Sequence, residues 1–317
     1  MPRRRRVLVA LIAAPWALWA LVRTLALDGG TPLVAMMAFT PYVTASAIVP
    51  LAVALVAREW VVAAVAALAL GLLALALAPR ALDGPQHAGA ERAGRPLVVM
   101  TTNLRFGGAD AREILRLVRA YDVDVVSLQE LTPDAVARLD DAGAHRLLPG
   151  RVLAPGARGE GTGLMARRPL RPLVAPRAGQ PEQLQAALRL PGATQLTIAC
   201  VHPDPPLSAG AVRGWRAVMW TLPPPSADGR LTVLAGDFNA TLDHRDLRRL
   251  LARGYTDAAD ATGDGLRPTF STARPLPPIT IDHVLVPAAI GVRRVTAHAV
   301  AGTDHRALIA ELVLAAR

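Results

Sequence analysis

Leu231–Thr232–Val233–Leu234–Ala235–Gly236–Asp237–Phe238–Asn239 is the stretch on which the reading of this chain turns. Five apolar or β-branched residues in a row fit a buried strand. The run then stops at a glycine, and an acid and an amide follow with one aromatic between them. A strand that ends this way delivers polar groups to one edge of a sheet. Five other runs repeat the device. Val98 to Thr102 ends in Asn103, Val125 to Leu128 ends in Gln129–Glu130, and Ile198 to Val201 ends in His202. Ile281 precedes Asp282–His283, and Gly302–Thr303 precede Asp304–His305. A sheet that gathers these ends makes a cluster of acids, amides and imidazoles suited to a hard cation and a phosphate.

Around these motifs the patterning predicts strands at Leu97–Thr102, Val123–Gln129, Gly163–Ala166, Gln195–Val201, Leu231–Ala235, Ile281–Val286 and Ala307–Leu314. Helices are expected at Ala109–Tyr121, Pro133–Asp141, Ala209–Thr221 and Arg245–Arg253. No repeat of helical-array period is present. Residues 96–317 are enough for one two-layered α/β domain with a substantial core.

The first eighty residues are of another kind. The chain has 317 residues, 52% of them apolar, and a mean hydropathy of +0.32, which argues against a disordered or disulfide-framed protein. Its net charge is +10, and all 35 basic residues are arginine. Up to Arg80 there are 7 arginines and 2 acids; beyond it there are 28 and 23. A membrane crossing takes roughly 20 apolar residues, and three segments reach that length, at about 7–27, 33–56 and 60–78. Residues 1–80 are therefore read as a region of three transmembrane helices. Arg3 to Arg6 would also suit the start of a cleaved signal peptide, but the long apolar stretch and the two that follow favour an anchor. Pro41 and Pro50 predict a kink in the second segment. Arg3 to Arg6 and Arg58 lie on one side, against Arg80, Arg92 and Arg95 on the other, so the N-terminus is expected inside. Three crossings then put the rest of the chain outside the cytoplasm, as a multi-pass protein of the cell membrane. Residues 81–95, with Gly84, Pro85, Gly89 and Gly94, read as a linker that carries a solvated His87. The single Cys200 lies in an apolar run, where an unpaired thiol is protected by burial.

Taken in order, Thr102–Asn103, Gln129–Glu130, Val201–His202, Gly236 to Asn239, Ile281 to His283 and Thr303 to His305 resemble the endonuclease/exonuclease/phosphatase superfamily of DNase I-like enzymes. The resemblance covers about Pro96 to the C-terminus. It implies an α+β, four-layered α/β/β/α sandwich and a divalent-metal phosphoesterase using magnesium, with manganese as the alternative. It further implies Glu130 as the main metal carboxylate, with Asn103 and Asp304 completing the metal side. His305, oriented by Asp282, would contact or protonate the phosphate. Asp237 would orient or deprotonate the attacking water, Asn239 would hold it, and His202 would bind a phosphate oxygen. These roles agree with elementary chemistry: magnesium takes only one or two carboxylates, and an attacked phosphate needs a cation and donors at its oxygens. One position departs from the pattern. Where some nucleases of this group carry a second carboxylate, this chain has Arg105, suited either to a substrate phosphate or to a plain surface.

Other features carry weaker readings. Gly161 to Met165 resembles the group's strand after the glutamate motif, its glycines explained by a turn rather than a phosphate-binding loop; Pro268–Thr269–Phe270 reads as a plain turn, Trp215 and Trp220 as core, and His283 as a structural strand-end residue. His145, His244 and His298 have no ligand spacing. Arg245, Arg248, Arg249 and Arg253 form one helix face, read as solvated in preference to a patch for anionic lipid or nucleic acid. The expected partners are a phosphoester substrate, nucleic acid or phospholipid, and the bilayer; no protein partner is expected. A nuclease is slightly favoured over a lipid phosphodiesterase or a phosphomonoesterase. A silent binding module held at the membrane is the reading from another class.

Overall fold

The computed structural model describes residues 2–82, 94–173, 183–190, 195–227, 229–271 and 277–315. The N-terminal part is helical: α1 (Pro2–Thr24), α2 (Leu33–Met36), α3 (Thr40–Ser46), α4 (Ile48–Val56) and α5 (Trp60–Leu77). Two helices are long and apolar enough to cross a membrane, and a third crossing results if the bent pair 33–46 and 48–56 counts as one. The second segment is kinked, as its prolines predict. A 3-10 turn at Met37–Phe39 interrupts it, and a bend of 40° separates α3 from α4 at Ala47. Pro50 has no N–H to offer Ser46 O, so the helix breaks just before it, whereas Pro41 sits in the first turn of α3, where its missing N–H costs nothing. Most of the segment read as a linker lies outside the described residues, His87 included. Its ends belong to regular elements, Ala81 to a 3-10 turn and Gly94–Arg95 to the first strand.

From Gly94 onward the chain builds two sheets. One is ordered β12-β13-β1-β2-β4-β3, from β12 (Ile290–Ala299), β13 (Arg306–Ala315), β1 (Gly94–Asn103), β2 (Val125–Gln129), β4 (Thr162–Ala166) and β3 (Gly150–Ala154). The other runs β10-β11-β9-β7-β6-β5, from β10 (Tyr255–Asp257), β11 (Asp282–Pro287), β9 (Arg230–Asp237), β7 (Gln195–Val201), β6 (Leu184–Arg189) and β5 (Leu170–Pro172), with β8 (Ser226–Ala227) on β9. Their inner faces meet through Val99, Val125, Leu164, Ile198, Cys200, Val233 and Val284, all fully buried. Ser127 Oγ donates across to Ala235 O at 2.8 Å. α6 (Ala111–Ala120) and α7 (Pro133–Asp141) cover the first sheet through Ile114, Leu115, Val118 and Leu139. α9 (Ala209–Thr221) and α10 (Arg245–Leu251) cover the second through Trp215, Met219, Leu247 and Leu250. The result is the expected four-layered sandwich.

The capping chemistry explains where these helices begin. Asp110 accepts from Arg112 N and Glu113 N, Thr132 from Ala135 N, and Ser208 from Ala211 N. Two expectations need correction. Trp220 is not core: it is 60% exposed, with its indole N–H on Asp246, because it falls on the outward face of α9, away from Trp215. Nor is the arginine face of α10 simply solvated. Arg245 pairs with Asp246, and Arg248 donates to Arg23 O at 2.7 Å.

The N-terminal helices are docked on the sandwich. Val34 of α2 is fully buried in the cluster that holds Trp215 and Phe238. Asp243 is fully buried; both of its oxygens accept from Arg80 at 2.8 Å, and Oδ1 also accepts from Arg23 at 2.5 Å. Asp28 accepts from Arg245 N, and Tyr42 donates to Pro278 O.

Candidate active site

Strand register brings the polar ends together. β1 and β2 are parallel with Asn103 opposite Gln129, so Glu130 emerges one step beyond the ladder. β9 and β11 are antiparallel with Asp237 opposite Asp282, which sets two carboxylates side by side. β7 runs parallel to β9 with Val201 opposite Gly236, so His202 emerges beside Asp237. A Cβ on Gly236 would lie 1.9 Å from Val201 O, which explains the glycine of the quoted stretch: only a bare backbone fits there.

The contacts within the cluster are specific. Asn103 Nδ2 donates to Glu130 Oε1 at 3.0 Å and to Asp237 Oδ2 at 3.1 Å. Glu130 Oε2 accepts from Phe106 N at 2.7 Å, and Asn103 Oδ1 accepts from Arg105 N at 2.9 Å. His202 Nε2 lies 3.9 Å from Glu130 Oε1 and 4.0 Å from Asp237 Oδ2. His305 Nδ1 is 2.9 Å from Asp282 Oδ2, and its Nε2 is 3.8 Å from Asp237 Oδ2. Asn239 N donates to Asp237 Oδ1, while its side chain donates to Pro203 O. Asp304 sits 3.8 Å from Arg105 Nε. The structure therefore gathers all eight residues singled out in the sequence, Asn103, Glu130, His202, Asp237, Asn239, Asp282, Asp304 and His305, into one cluster.

Several contributors escaped the sequence reading. Thr269 Oγ1 accepts from Ile281 N and Asp282 N, and the Phe270 ring lies 4.7 Å from that of His305. The segment read as a plain turn thus buttresses the Asp282–His305 pair. Thr303 Oγ1 donates to Asn103 O and accepts from His305 N, tying β1 to the terminal motif. His283 is structural, bound between Asp257 and Ala240 O. Arg105, Phe106, Glu130 and Asn239 all have positive φ, a strained backbone for side chains that clusters at functional sites. No residue pattern announces such torsions.

The electrostatics follow from buried acids. Burial and the neighbouring charge of Asp282 push the Asp237 carboxyl above its ordinary value. For His305, burial disfavours the cation, but Asp282, Asp237 and Asp304 outweigh it and raise the imidazole from 6.5 to about 9. Burial pushes the Cys200 thiol up, so it stays protonated and inert beneath the site. Asp282 Oδ1 is buried with no hydrogen-bond partner among the described residues. Ligand atoms of Asp237, Asp282 and His305 fall within 4.8 Å of one another. Four converging carboxylates, one of them with an orphaned oxygen, form a donor set that a divalent cation fits by charge and by its preference for oxygen.

The model of the endonuclease/exonuclease/phosphatase family matches residues 100–305. The chain belongs to this family. The match takes in all eight clustered residues and leaves out the N-terminal helices. No curated protein matches the chain significantly. Among solved structures, a family member from Beutenbergia cavernae is similar with 20% identity, a TM-score of 0.54 and coverage of 69% of this chain and 72% of that one. One from Bacteroides vulgatus has 16% identity, a TM-score of 0.52 and coverage of 69% and 99%. D. rerio TDP2, solved with a single-strand DNA product, has 19% identity, a TM-score of 0.50 and coverage of 68% and 98%. These likenesses establish the fold of this endonuclease/exonuclease/phosphatase chain.

Proposed function

We propose that the chain is a membrane-anchored, divalent-metal-dependent phosphodiesterase with its catalytic domain, residues 96–317, outside the cytoplasm. The observation that carries this reading is His305 held between two buried carboxylates, hydrogen-bonded to Asp282 at 2.9 Å and 3.8 Å from Asp237. Asp237 accepts a proton from water and aims it at phosphorus, helped by the backbone N–H of Asn239 that fixes Asp237 Oδ1. His305, charged through Asp282, donates to the phosphate oxygens or to the leaving oxygen. His202, 11% exposed at the side chain, adds a second donor to the cluster. Asn239 holds the water on the other side. Glu130, Asp304 and Asn103 would hold the metal; Asn103 is the weakest of the three, since its Oδ1 already accepts from Arg105. When bound, the ion supplies Lewis-acid neutralisation of the charge that builds on the phosphate. Arg105, beside Asp304 and 43% exposed, is placed to meet a substrate phosphate.

The anchor reading rests on the apolar helices and on the arginine distribution, which puts Arg3 to Arg6 and Arg58 inside. The likeness to D. rerio TDP2, solved with a DNA product, makes nucleic acid one substrate class to test. The deciding experiment uses the full chain in detergent micelles with bis(p-nitrophenyl) phosphate, magnesium or EDTA, and His305→Ala. Metal-dependent hydrolysis that the variant loses supports the reading; hydrolysis indifferent to EDTA or to His305→Ala overturns it.

A further inference from the structure

Resting on the phosphodiesterase reading above, we propose that the substrate is a lipid phosphodiester of the bilayer itself. Its acyl chain sits between α1 and the broken second apolar segment, and its phosphate meets the site from the membrane side.

The first support is where the site points. The end of the sandwich that carries the cluster is also the end that rests on the N-terminal helices. β9 delivers Asp237, and the same loop continues through Asn239 to Asp243, which Arg23 in the last turn of α1 and Arg80 just past α5 grip. Pro278 O accepts from Tyr42, and next to it Ile279 bridges to Phe270, whose ring lies 4.7 Å from that of His305. Four residues of chain reach at most about 14 Å, so Asn239 lies within that distance of the Asp243 clamp. The cluster therefore begins within about 14 Å of the residue that Arg23 and Arg80, at the ends of α1 and α5, hold.

The second support is a cleft that the catalytic reading does not use. Trp16, Trp19 and Val22 of α1 face Met36, Met37 and Val43 across a cavity of about 320 Å³, at the small end of ligand sites. Its polar wall groups already satisfy one another: Trp16 Nε1 donates to Ser46 Oγ and Trp19 Nε1 to Thr40 Oγ1, both at 3.0 Å. What remains is an apolar surface between α1, long enough to cross the bilayer, and the first half of the bent pair 33–46 and 48–56, and the apolar occupant on hand there is an acyl chain. Val43 lines this cleft, and its neighbour Tyr42 touches the loop that leads to Asp282, so one short helix separates the cleft from the site.

A third observation disfavours a polynucleotide. Arg245 and Arg248 of α10, on the helix face that could track a phosphate backbone, are spent on Asp246 and on Arg23 O. The loops after Asn103 and His202 instead expose Phe106 and Leu207, at 63% and 74%. Apolar side chains so exposed suit an interface. In the step itself, water oxygen bonds to phosphorus and the bond from phosphorus to one ester oxygen breaks. One water proton passes to Asp237, and the departing oxygen takes a proton from His305. The products are one alcohol and one phosphomonoester.

The test uses the full chain in vesicles of equal parts phosphatidylcholine, phosphatidylglycerol and sphingomyelin with magnesium. Parallel reactions take bis(p-nitrophenyl) phosphate and supercoiled plasmid. The variants are Leu18→Trp and Met36→Trp, at cleft positions 58% and 40% exposed, where a larger side chain leaves helix packing intact. The expected result is metal-dependent cleavage of at least one lipid. In the double variant the ratio of lipid to soluble-diester turnover falls at least tenfold. Soluble-diester hydrolysis without lipid cleavage overturns the inference while the phosphodiesterase reading stands, and nicking of the plasmid would then assign a polynucleotide. Lipid cleavage with an unchanged ratio also overturns it, because the cleft is then idle. No turnover of any substrate by a chain with native circular dichroism removes the phosphodiesterase reading and this inference together.

Discussion

Asp243→Asn tests whether the N-terminal helices and the sandwich are one energetic unit. Asp243 is fully buried, and the Arg23 and Arg80 side chains that share it are 11% and 7% exposed. An amide of the same shape cannot neutralise two buried guanidinium groups. Removing one partner from a buried ion pair costs roughly 3–5 kcal/mol, a large part of a typical 5–15 kcal/mol of stability. At the low end, docking weakens about 150-fold. Thermal unfolding in micelles should fall by about 6–12 °C. Burial pushes the Asp243 carboxyl up, but Arg80 and Arg23 hold it below its ordinary value of 3.8. Its contribution is therefore present above that range and lost only as pH falls through the lowered value, so a measurement at pH 7 reads all of it. Amide hydrogen exchange should rise along Asn239–His244, and turnover should drop as the Asp237–Asn239 loop loosens. Arg249→Gln, at a side chain 56% exposed, is the control and should change stability by less than about 0.5 kcal/mol. A melting shift within about 2 °C of wild type, with unchanged exchange at 239–244, would refute the reasoning.

Three further outcomes follow from the site. His305 is raised from 6.5 to about 9, so without metal its charge stabilises the fold below 6.5, and that contribution, about 3 kcal/mol, drains away as pH climbs through 9; denaturant titrations in EDTA should show this slope in wild type and not in His305→Ala. Glu130→Gln should weaken magnesium activation at least tenfold with kcat recoverable at high metal, and an unchanged activation curve would move the ion to the Asp237, Asp282 and His305 grouping. Gly236→Ala should fail to fold or lose several kcal/mol, because its Cβ would meet Val201 O at 1.9 Å; a soluble, native-like variant would show that β7 and β9 can part.

Much of the sandwich was legible because local chemistry and tertiary role agree. β7, α7 and α9 occupy the residues that period and capping indicate, Gln195–Val201, Pro133–Asp141 and Ala209–Thr221. The strands that escaped, β3, β5, β6, β8, β10 and β12, lie at or next to sheet edges, where one side of the ladder faces outward and the apolar signal thins. β12 carries Arg293 and Arg294 in mid-strand, both paired with Glu311 on its neighbour. The cluster residues were legible as strand ends: Asn103, Glu130, His202 and Asp237 follow apolar runs, while Asp282 and His305 stand at the start of β11 and just before β13. Thr269, Phe270 and Thr303 were not, because their roles come from contacts to residues distant in sequence, such as Thr303 to Asn103. Asp243 looked like any loop acid, since its partners lie 220 and 163 positions away.

The register that sets Asp237 opposite Asp282 has a consequence for how this chain can vary. The two acids are spaced by ladder hydrogen bonds and not by loops, so their mutual repulsion is borne by the whole second sheet. Slipping β11 by one residue against β9 would turn Asp282 to the other face and drive Val284 out of the core with it, while Asp237, Val233 and Ala235 stay in place. The spacing of the two acids and the hydrophobic packing are thus written in the same pairing, like two scales engraved on one ruler. Loops around the cluster are free to diversify toward new substrates, while the gap between the acids stays fixed for as long as the protein folds.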